Sequence, residues 1–425
     1  METKQLGMDF NLSEYMRGTY GRGLRLPDLS KKIPVEEFER RVEMLREALG
    51  ELGVDVAFAY GDERSPGDVG WLTGYHPHIE SALVVVGREK VLVLGGPCGE
   101  AYAKETMRTG EFRCLEELVI PGEDYPGVRF HKIADVLREA AGKVPKAIGN
   151  ITARDTVPVA VADLMKEAVG AEIRDCSRWM VEARYRKSPA ELSMMAIAAY
   201  ISTWGMDAMI SSIEPGKRET ECSAVAEYVM KSMGADTFGF NTIVCSGLRA
   251  SNVLGRAGNK VIEDGDLVVL GTSARYEGMT AALGRTVVVG AKPHPDKMEL
   301  IAHCVKAYES CKGSYKCGAP AKEVDLAARN HLRSVGLDGL HNTVHGIGWT
   351  ECMEGSGEAT QYSSYVFPKG IASQIDVGVF GRAFKSLSPA EVGVRVENPW
   401  VIDHEGNSRS LTYLPPDVNH VVYRG

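Results

Sequence analysis

GDLVVLGTSARYEGMTAALGRTVVVG, residues 265–290, reads as strand, turn and strand. The first strand carries Gly271 and the second Ala282. On either side of this hairpin the sequence repeats itself. PGKRETECSAVAEYVMKSMGAD starts at Pro215 and CGAPAKEVDLAARNHLRSVGLD at Cys317, an offset of 317 − 215 = 102 residues. Across it Gly216 meets Gly318, Glu221 meets Glu323, Ala226 meets Ala328, and Gly234-Ala235-Asp236 meets Gly336-Leu337-Asp338. Each copy is a turn, an amphipathic helix and a glycine stop. The strands that follow, Asn241-Thr242-Ile243 and Asn342-Thr343-Val344, also correspond. Two copies are too few for a solenoid; a pseudo-twofold α/β unit with a site between its halves is expected.

Upstream, Ser188-Pro189-Ala190-Glu191 is a capping box with proline at the first helical position, so a long helix begins there. The basic run EARYRK before it reads as a connector, which divides the chain into residues 1–183 and 184–425. Within the first part, PVEEFERRVEMLREALGELG (34–53) has helical periodicity. The apolar runs VDVAFAY, SALVVVG, KVLVLGG and KAIGN read as strands, and HKIADVLREAAG and VAVADLMKEAVG as helices. That alternation predicts a small α/β domain.

Bulk properties narrow the function. At 425 residues the chain exceeds one ordinary core. Its 44% hydrophobic and 25% charged content is that of a globular protein. A net charge of −8 argues against a nucleic-acid partner, which needs a basic face. No run approaches a membrane span, and the polar start METKQLGMDFNLSEYMRGTYGRG has no apolar signal-peptide run. Nine scattered cysteines without CxxC or framework spacing fit a reducing cytoplasm. GGPCGE matches neither a dinucleotide fingerprint nor a P-loop.

The repeat, the hairpin, HGIG at 345–348, KGIASQIDVGVF at 370–380 (its last eleven residues) and GVRVEN at 393–398 together resemble the creatinase, Xaa-Pro peptidase and methionine aminopeptidase family. EARYRKSPAEL and WLTGY at 71–75 extend the likeness upstream, so it runs in order over nearly the whole chain. It implies an α/β (α+β) fold: a creatinase-type amino-terminal domain, then a "pita-bread" domain, in a homodimer. In the metal-using relatives two hairpin aspartates, a histidine and two glutamates hold two ions about 3.5–4 Å apart, which need bridging carboxylates to offset their charge. Here the aspartate positions are Gly271 and Ala282; His345 is retained, the first glutamate is shortened to Asp376, and Glu397 is retained. Creatinase, a metal-independent amidinohydrolase, also has Thr-Ala-Leu before the arginine-threonine pair, as Thr280–Leu283 does here with Ala281 inserted. Its histidine upstream of the hairpin has no counterpart in SGLRASNVLGRAGNK, and its hairpin glutamate is Gly284 here.

These comparisons lead to a metal-independent, creatinase-like hydrolase with no cofactor, breaking a C–N bond of a small polar nitrogenous substrate. His345, Asp376 and Glu397 would share the acid–base work. His345 is the best single candidate, since its counterpart in the first repeat is the apolar Val244. Asp376 and Glu397 lie in apolar strands, where a carboxylate pair tends to have one pKa raised; ion pairing with Arg395 or Arg285 is the plainer role for them. Arg395 reads as a structural partner or an anchor for a substrate carboxylate. Cys352 stands where metal peptidases of the family usually have a second histidine; it reads as a lining thiol, or as a nucleophile paired with His345. The surrounding ECMEGSGEATQYSSY is loop-like, with Glu351 and Glu354 solvated. His76, His78 and Glu80, at alternate positions before a strand, would face one way on an extended backbone and bind substrate. Two alternatives stand beside this: an Xaa-Pro dipeptidase or aminopeptidase with one divalent metal at His345, Asp376 and Glu397, and a catalytically inactive binding protein of the same fold.

Overall fold

The computed structural model describes residues 18, 26–290, 292–352, 354–416 and 421–422; apart from Gly18, the amino-terminal stretch read above for a signal peptide lies outside them. The chain forms two compact units: residues 33–186, and residues 187–425 together with those before Ile33. The division thus falls at Arg186–Lys187, three residues beyond the boundary expected from sequence, and the described residues 26–32 group with the second unit. Among the described residues, no helix is long and apolar enough to cross a membrane.

The first unit is α/β, as its alternating pattern predicts. Strands β1 (Val56–Gly61), β2 (Ala82–Gly87), β3 (Val91–Gly95), β4 (Glu111–Cys114), β5 (Ala147–Asn150) and β6 (Glu172–Asp175) form a sheet in the order β4-β3-β2-β1-β5-β6. β1–β2 and β2–β3 pair antiparallel, the others parallel. Alternate residues of three strands, Val56 and Phe58, Leu83 and Val85, Leu92 and Leu94, pack with Val136, Leu137 and Ala140 of the helix Ile133–Ala141. Period-two apolar positions meeting a helical stripe make this core.

The second unit is built on one mixed sheet. Its strands are β7 (Thr237–Phe238), β8 (Ile243–Ser246), β9 (Leu267–Tyr276), β10 (Met279–Val289), β11 (Val344–Gly346), β12 (Ile371–Phe380), β13 (Gly393–Ile402), β14 (Ser408–Ser410) and β15 (Val421–Val422). The main path runs β11-β12-β13-β10-β9-β7, with β8 on β9, β14 on β13 and β15 on β10. The expected capping box forms: Ser188 Oγ accepts from Glu191 N and the Glu191 side chain accepts from Ser188 N, opening the helix Pro189–Ser212. The repeat is visible in space. The helices Glu219–Ser232 and Ala321–Ser334 begin 321 − 219 = 102 residues apart, each preceded by a long helix, Pro189–Ser212 and Pro295–Ser314. The first long helix packs on β9 and β10, the second on β12 and β13.

One sheet face is thereby committed to helices. Ser202 Oγ donates to Ala281 O (2.7 Å) and accepts from Ala274 N (2.7 Å), while Thr272 Oγ1 donates to Ser202 O (3.1 Å). In the second half Tyr308 Oη accepts from Asn398 Nδ2 (2.8 Å) and Trp400 Nε1 (3.0 Å). Because strand side chains alternate, residues 271, 273, 397 and 399 must face the other way.

Candidate active site

That other face is where the polar residues gather, and the register lines them up. Directly opposed antiparallel residues share a face. Gly271 pairs with Gly284, Gly284 with Glu397, and Glu397 with Asp376, forming one row across four strands. Two residues along, Ser273 pairs with Ala282, and Gln374 with both Pro399 and His345. The sheet thus brings His345, Asp376 and Glu397 together, as the sequence predicts, beside the two hairpin positions that lack carboxylates.

The trio is buried. One donor atom from each of His345, Asp376 and Glu397 lies within 4.8 Å of the others. His345 Nε2 is 3.7 Å from Glu397 Oε1, and its Nδ1 is 3.3 Å from Gly346 O, which assigns the proton to Nδ1 in the neutral ring and turns Nε2 into the site. Burial opposes a charge on this imidazole, but hydrogen bonding and attraction to Glu397, then Asp376 and Glu351, outweigh it and raise its pKa to about 9. Asp376 is flanked by two nitrogen donors: Arg395 Nε lies 3.2 Å from Oδ1 and His341 Nε2 3.7 Å from Oδ2. Neither contact has hydrogen-bond geometry, so Asp376 Oδ1 is a buried oxygen with no hydrogen-bond partner among the described residues. Of the two arginines expected nearby, Arg395 lies against the Asp376 carboxylate, whereas Arg285 donates to Gly284 O, Glu397 O, Asn398 Oδ1, Leu414 O and Pro415 O.

The glycines of the hairpin are packed positions. A Cβ on Gly284 would lie 2.8 Å from both Arg395 Cδ and Glu397 Cβ, so its absence lets the arginine stem cross β10. A Cβ on Gly271 would meet the Ile243 side chain at 3.2 Å. Two closely spaced ions do not fit this site, because both hairpin carboxylates that would share their charge are missing. One divalent ion does: an imidazole and two carboxylates converge, one carboxylate oxygen lacks a hydrogen bond, and a borderline or hard cation suits such a donor set.

A further carboxylate was not expected. Glu351 is buried, not solvated: Ser273 Oγ donates to its Oε2 (2.9 Å) and Gln374 Nε2 to its Oε1 (3.4 Å). Burial first, then the charge of Glu397, pushes its pKa up to about 7. This carboxylate reaches the site through a loop rather than from a strand. Glu354 is buried too, and Lys187 Nζ donates to its Oε1 at 2.8 Å. Both stand in a polar, glycine-rich stretch, and it is contacts distant in sequence, Ser273 and Gln374 for Glu351 and Lys187 for Glu354, that bury them. Ser273 and Gln374 are legible by spacing, since each stands two residues from a candidate position, Gly271 and Asp376.

Cys352 is exposed at the edge of the site, with φ of 62°, and its sulfur is within 4.8 Å of donor atoms of His345 and Glu351. Enclosure by protein, then the negative charge of Glu351, Glu397 and Asp376, raises the thiol well above its ordinary value, which disfavours a nucleophilic thiolate. His76, His78 and Glu80 belong to the first unit. They do not face one way: His78 is exposed near Glu63, whereas Glu80 is buried and accepts from Gly99 N (2.8 Å). The extended backbone assumed for them is broken at Ile79, whose φ is 65°.

Comparison with known proteins bears on the same site. Residues 193–404 match the family described as Metallopeptidase family M24, and residues 41–186 the Creatinase/Prolidase N-terminal domain. The chain is 32% identical over 251 residues to an Xaa-Pro dipeptidase of Pyrococcus horikoshii, covering 59% of this chain and 69% of that one. It is 27% identical over 374 residues to an Xaa-Pro dipeptidase of Pyrococcus furiosus, covering 87% and 97%. Among solved structures it is similar to the prolidase from Pyrococcus horikoshii (TM-score 0.73, 24% identity, 88% of this chain and 98% of that one). It is also similar to the X-Pro aminopeptidase from Thermotoga maritima (TM-score 0.75, 23% identity, 90% and 99%); at these identities the structures speak for the fold alone. The expectation of a cofactor-free, creatinase-like site is corrected by these matches: the family is one of metallopeptidases and the relatives are Xaa-Pro dipeptidases. Loss of the hairpin carboxylates pointed away from metal altogether, but the converging trio leaves room for one ion.

Proposed function

The chain belongs to metallopeptidase family M24 and is a hydrolase, and from that premise we propose that it cleaves the C–N bond of short peptides of the Xaa-Pro kind with one divalent ion held by His345, Asp376 and Glu397. The observation that carries this reading is the convergence of those three donors within 4.8 Å of one another on a sheet face whose hairpin carboxylates are gone. When bound, such an ion polarises a carbonyl and lowers the pKa of a water.

The residues around it do the rest. His345 presents Nε2, its ring held by the Nδ1 contact to Gly346 O. Arg395 pins Asp376 from one side and offsets its charge, so one divalent ion suffices where two would leave excess positive charge in a buried space. Gly284 keeps the arginine stem in place. Arg395 and Cys352, which lie beside the trio, remain candidates for substrate contacts in this reading. A homodimer in the cytoplasm belongs to it as well, supported on the second point by nine free cysteines.

The test is hydrolysis of Gly-Pro and Ala-Pro by the purified chain, with and without manganese or cobalt. Turnover should require the ion and vanish in His345→Ala and Glu397→Ala. Absence of turnover with every ion, together with unchanged ligand binding in the double variant, would point instead to a binding protein.

A further inference from the structure

We infer that Glu351 returns to the metal site the carboxylate that the hairpin lost at Ala282, entering from the loop after β11. This rests on the single-ion reading above. Ala282 pairs with Ser273, and both face the site. The hydroxyl of Ser273 holds Glu351 Oε2 at 2.9 Å. The amide of Gln374 spans the same place, donating to Ala282 O at 2.9 Å and to Glu351 Oε1 at 3.4 Å. The carboxylate of Glu351 is thus anchored by the two side chains that bracket position 282. It comes from outside the sheet, where the hairpin side chain is too short to reach.

Two observations connect this carboxylate to a cation. A donor oxygen of Glu351 lies within 4.8 Å of a ring nitrogen of His345, which is also the shared member of the trio with Asp376 and Glu397. Beside it, the amide oxygen of Gln374 is fully buried and has no hydrogen-bond partner among the described residues. A buried carboxylate next to an unsatisfied buried oxygen is costly unless positive charge is shared between them. Glu351 as fourth protein donor gives one imidazole and three carboxylates, a set suited to manganese, cobalt or zinc.

The inference is tested by moving the carboxylate back. Mn²⁺ is titrated calorimetrically into the metal-stripped full chain, comparing the parent, Glu351→Gln, the reciprocal double variant Ala282→Asp with Glu351→Gln, Ser273→Ala and His345→Ala. The parent should take one equivalent. Glu351→Gln should bind about 10- to 100-fold more weakly, the reciprocal variant should regain most of that loss, and Ser273→Ala should show a smaller weakening. Circular dichroism and melting of the metal-free proteins report folding, and Ser273→Ala supplies the result if Glu351→Gln does not fold. Parent-like affinity in Glu351→Gln, or no recovery in the reciprocal variant, overturns the inference. If His345→Ala alone loses affinity, the single-ion reading stands and this one falls; if the parent binds no ion, both fall.

Discussion

Replacing Lys187 with methionine should destabilise the second unit by about 3–5 kcal/mol. Lys187 Nζ and Glu354 Oε1 are 2.8 Å apart and neither side chain is exposed, so the pair is desolvated and the attraction is unscreened. Methionine keeps most of the stem, which limits any cavity; a Cβ on Gly348 would come within 2.5 Å of Lys187 Cε, which shows how closely that stem is packed. The cost therefore comes from burying the Glu354 carboxylate without its ammonium. Glu354 Oε2 still accepts from Thr350 N (3.1 Å) and Thr350 Oγ1 (2.9 Å), which places the loss toward the lower end of that range. For a unit of this size each kcal/mol corresponds to about 2–4 °C in Tm, so about 6–12 °C is expected from the lower figure. Urea denaturation followed by circular dichroism measures it. The companion is Lys187→Met with Glu354→Gln, which removes both charges and should recover most of the stability. A single-variant loss under about 1 kcal/mol, or a double variant no better than the single, would refute the view that an uncompensated buried carboxylate sets the cost.

Proton release should accompany metal binding. The His345 pKa, raised to about 9 in the metal-free protein, keeps the ring charged at neutral pH, and the ion must displace that proton. Affinity should rise with pH up to about 9, with roughly one proton released per ion, read by calorimetry in buffers of different ionisation enthalpy. The same shift makes a sign prediction for stability. The contribution is fully present below the ordinary value of 6.5 and is lost as pH rises through about 9, so urea midpoints of the metal-free protein should fall over that window. Gly284→Ala should cost about 1–3 kcal/mol through overpacking and lower kcat/KM, because its Cβ would sit 2.8 Å from Arg395 Cδ and Glu397 Cβ; an unchanged Tm would contradict this. Ser202→Ala should cost about 2–3 kcal/mol, since its hydroxyl joins Ala274 N to Ala281 O inside the sheet; thermal melting checks it.

Much of the architecture is local enough to be read from the chain. The capping box at Ser188, the helices 102 residues apart and the hairpin depend on nearby residues, so their signals survive without tertiary information. The trio was legible through motifs that the resemblance supplied. Its metal chemistry is legible only as an alternative, because missing ligands can be counted in a sequence whereas the meeting of the remaining three is a property of the fold. Glu351 was hidden for a different reason. Its neighbours are polar and glycine-rich, as in solvated loops, and only long-range folding onto Ser273 and Gln374 buries it. HPHIE failed through one residue: an alternation argument requires extended backbone throughout, and Ile79 is left-handed.

The duplicated scaffold has come to divide its labour. His345, Glu351, Asp376, Arg395 and Glu397 all come from the later copy and its strands, while the earlier copy offers a wall of Gly271, Ser273, Ala282 and Gly284. A chain arranged in this way can vary that wall, and with it the shape presented to a substrate, without removing a donor of the trio. At Gly271 and Ala282, which hold no donor of the site, selectivity and ion binding can then drift at separate rates, whereas Ser273 and Gly284 are tied to Glu351 and Arg395.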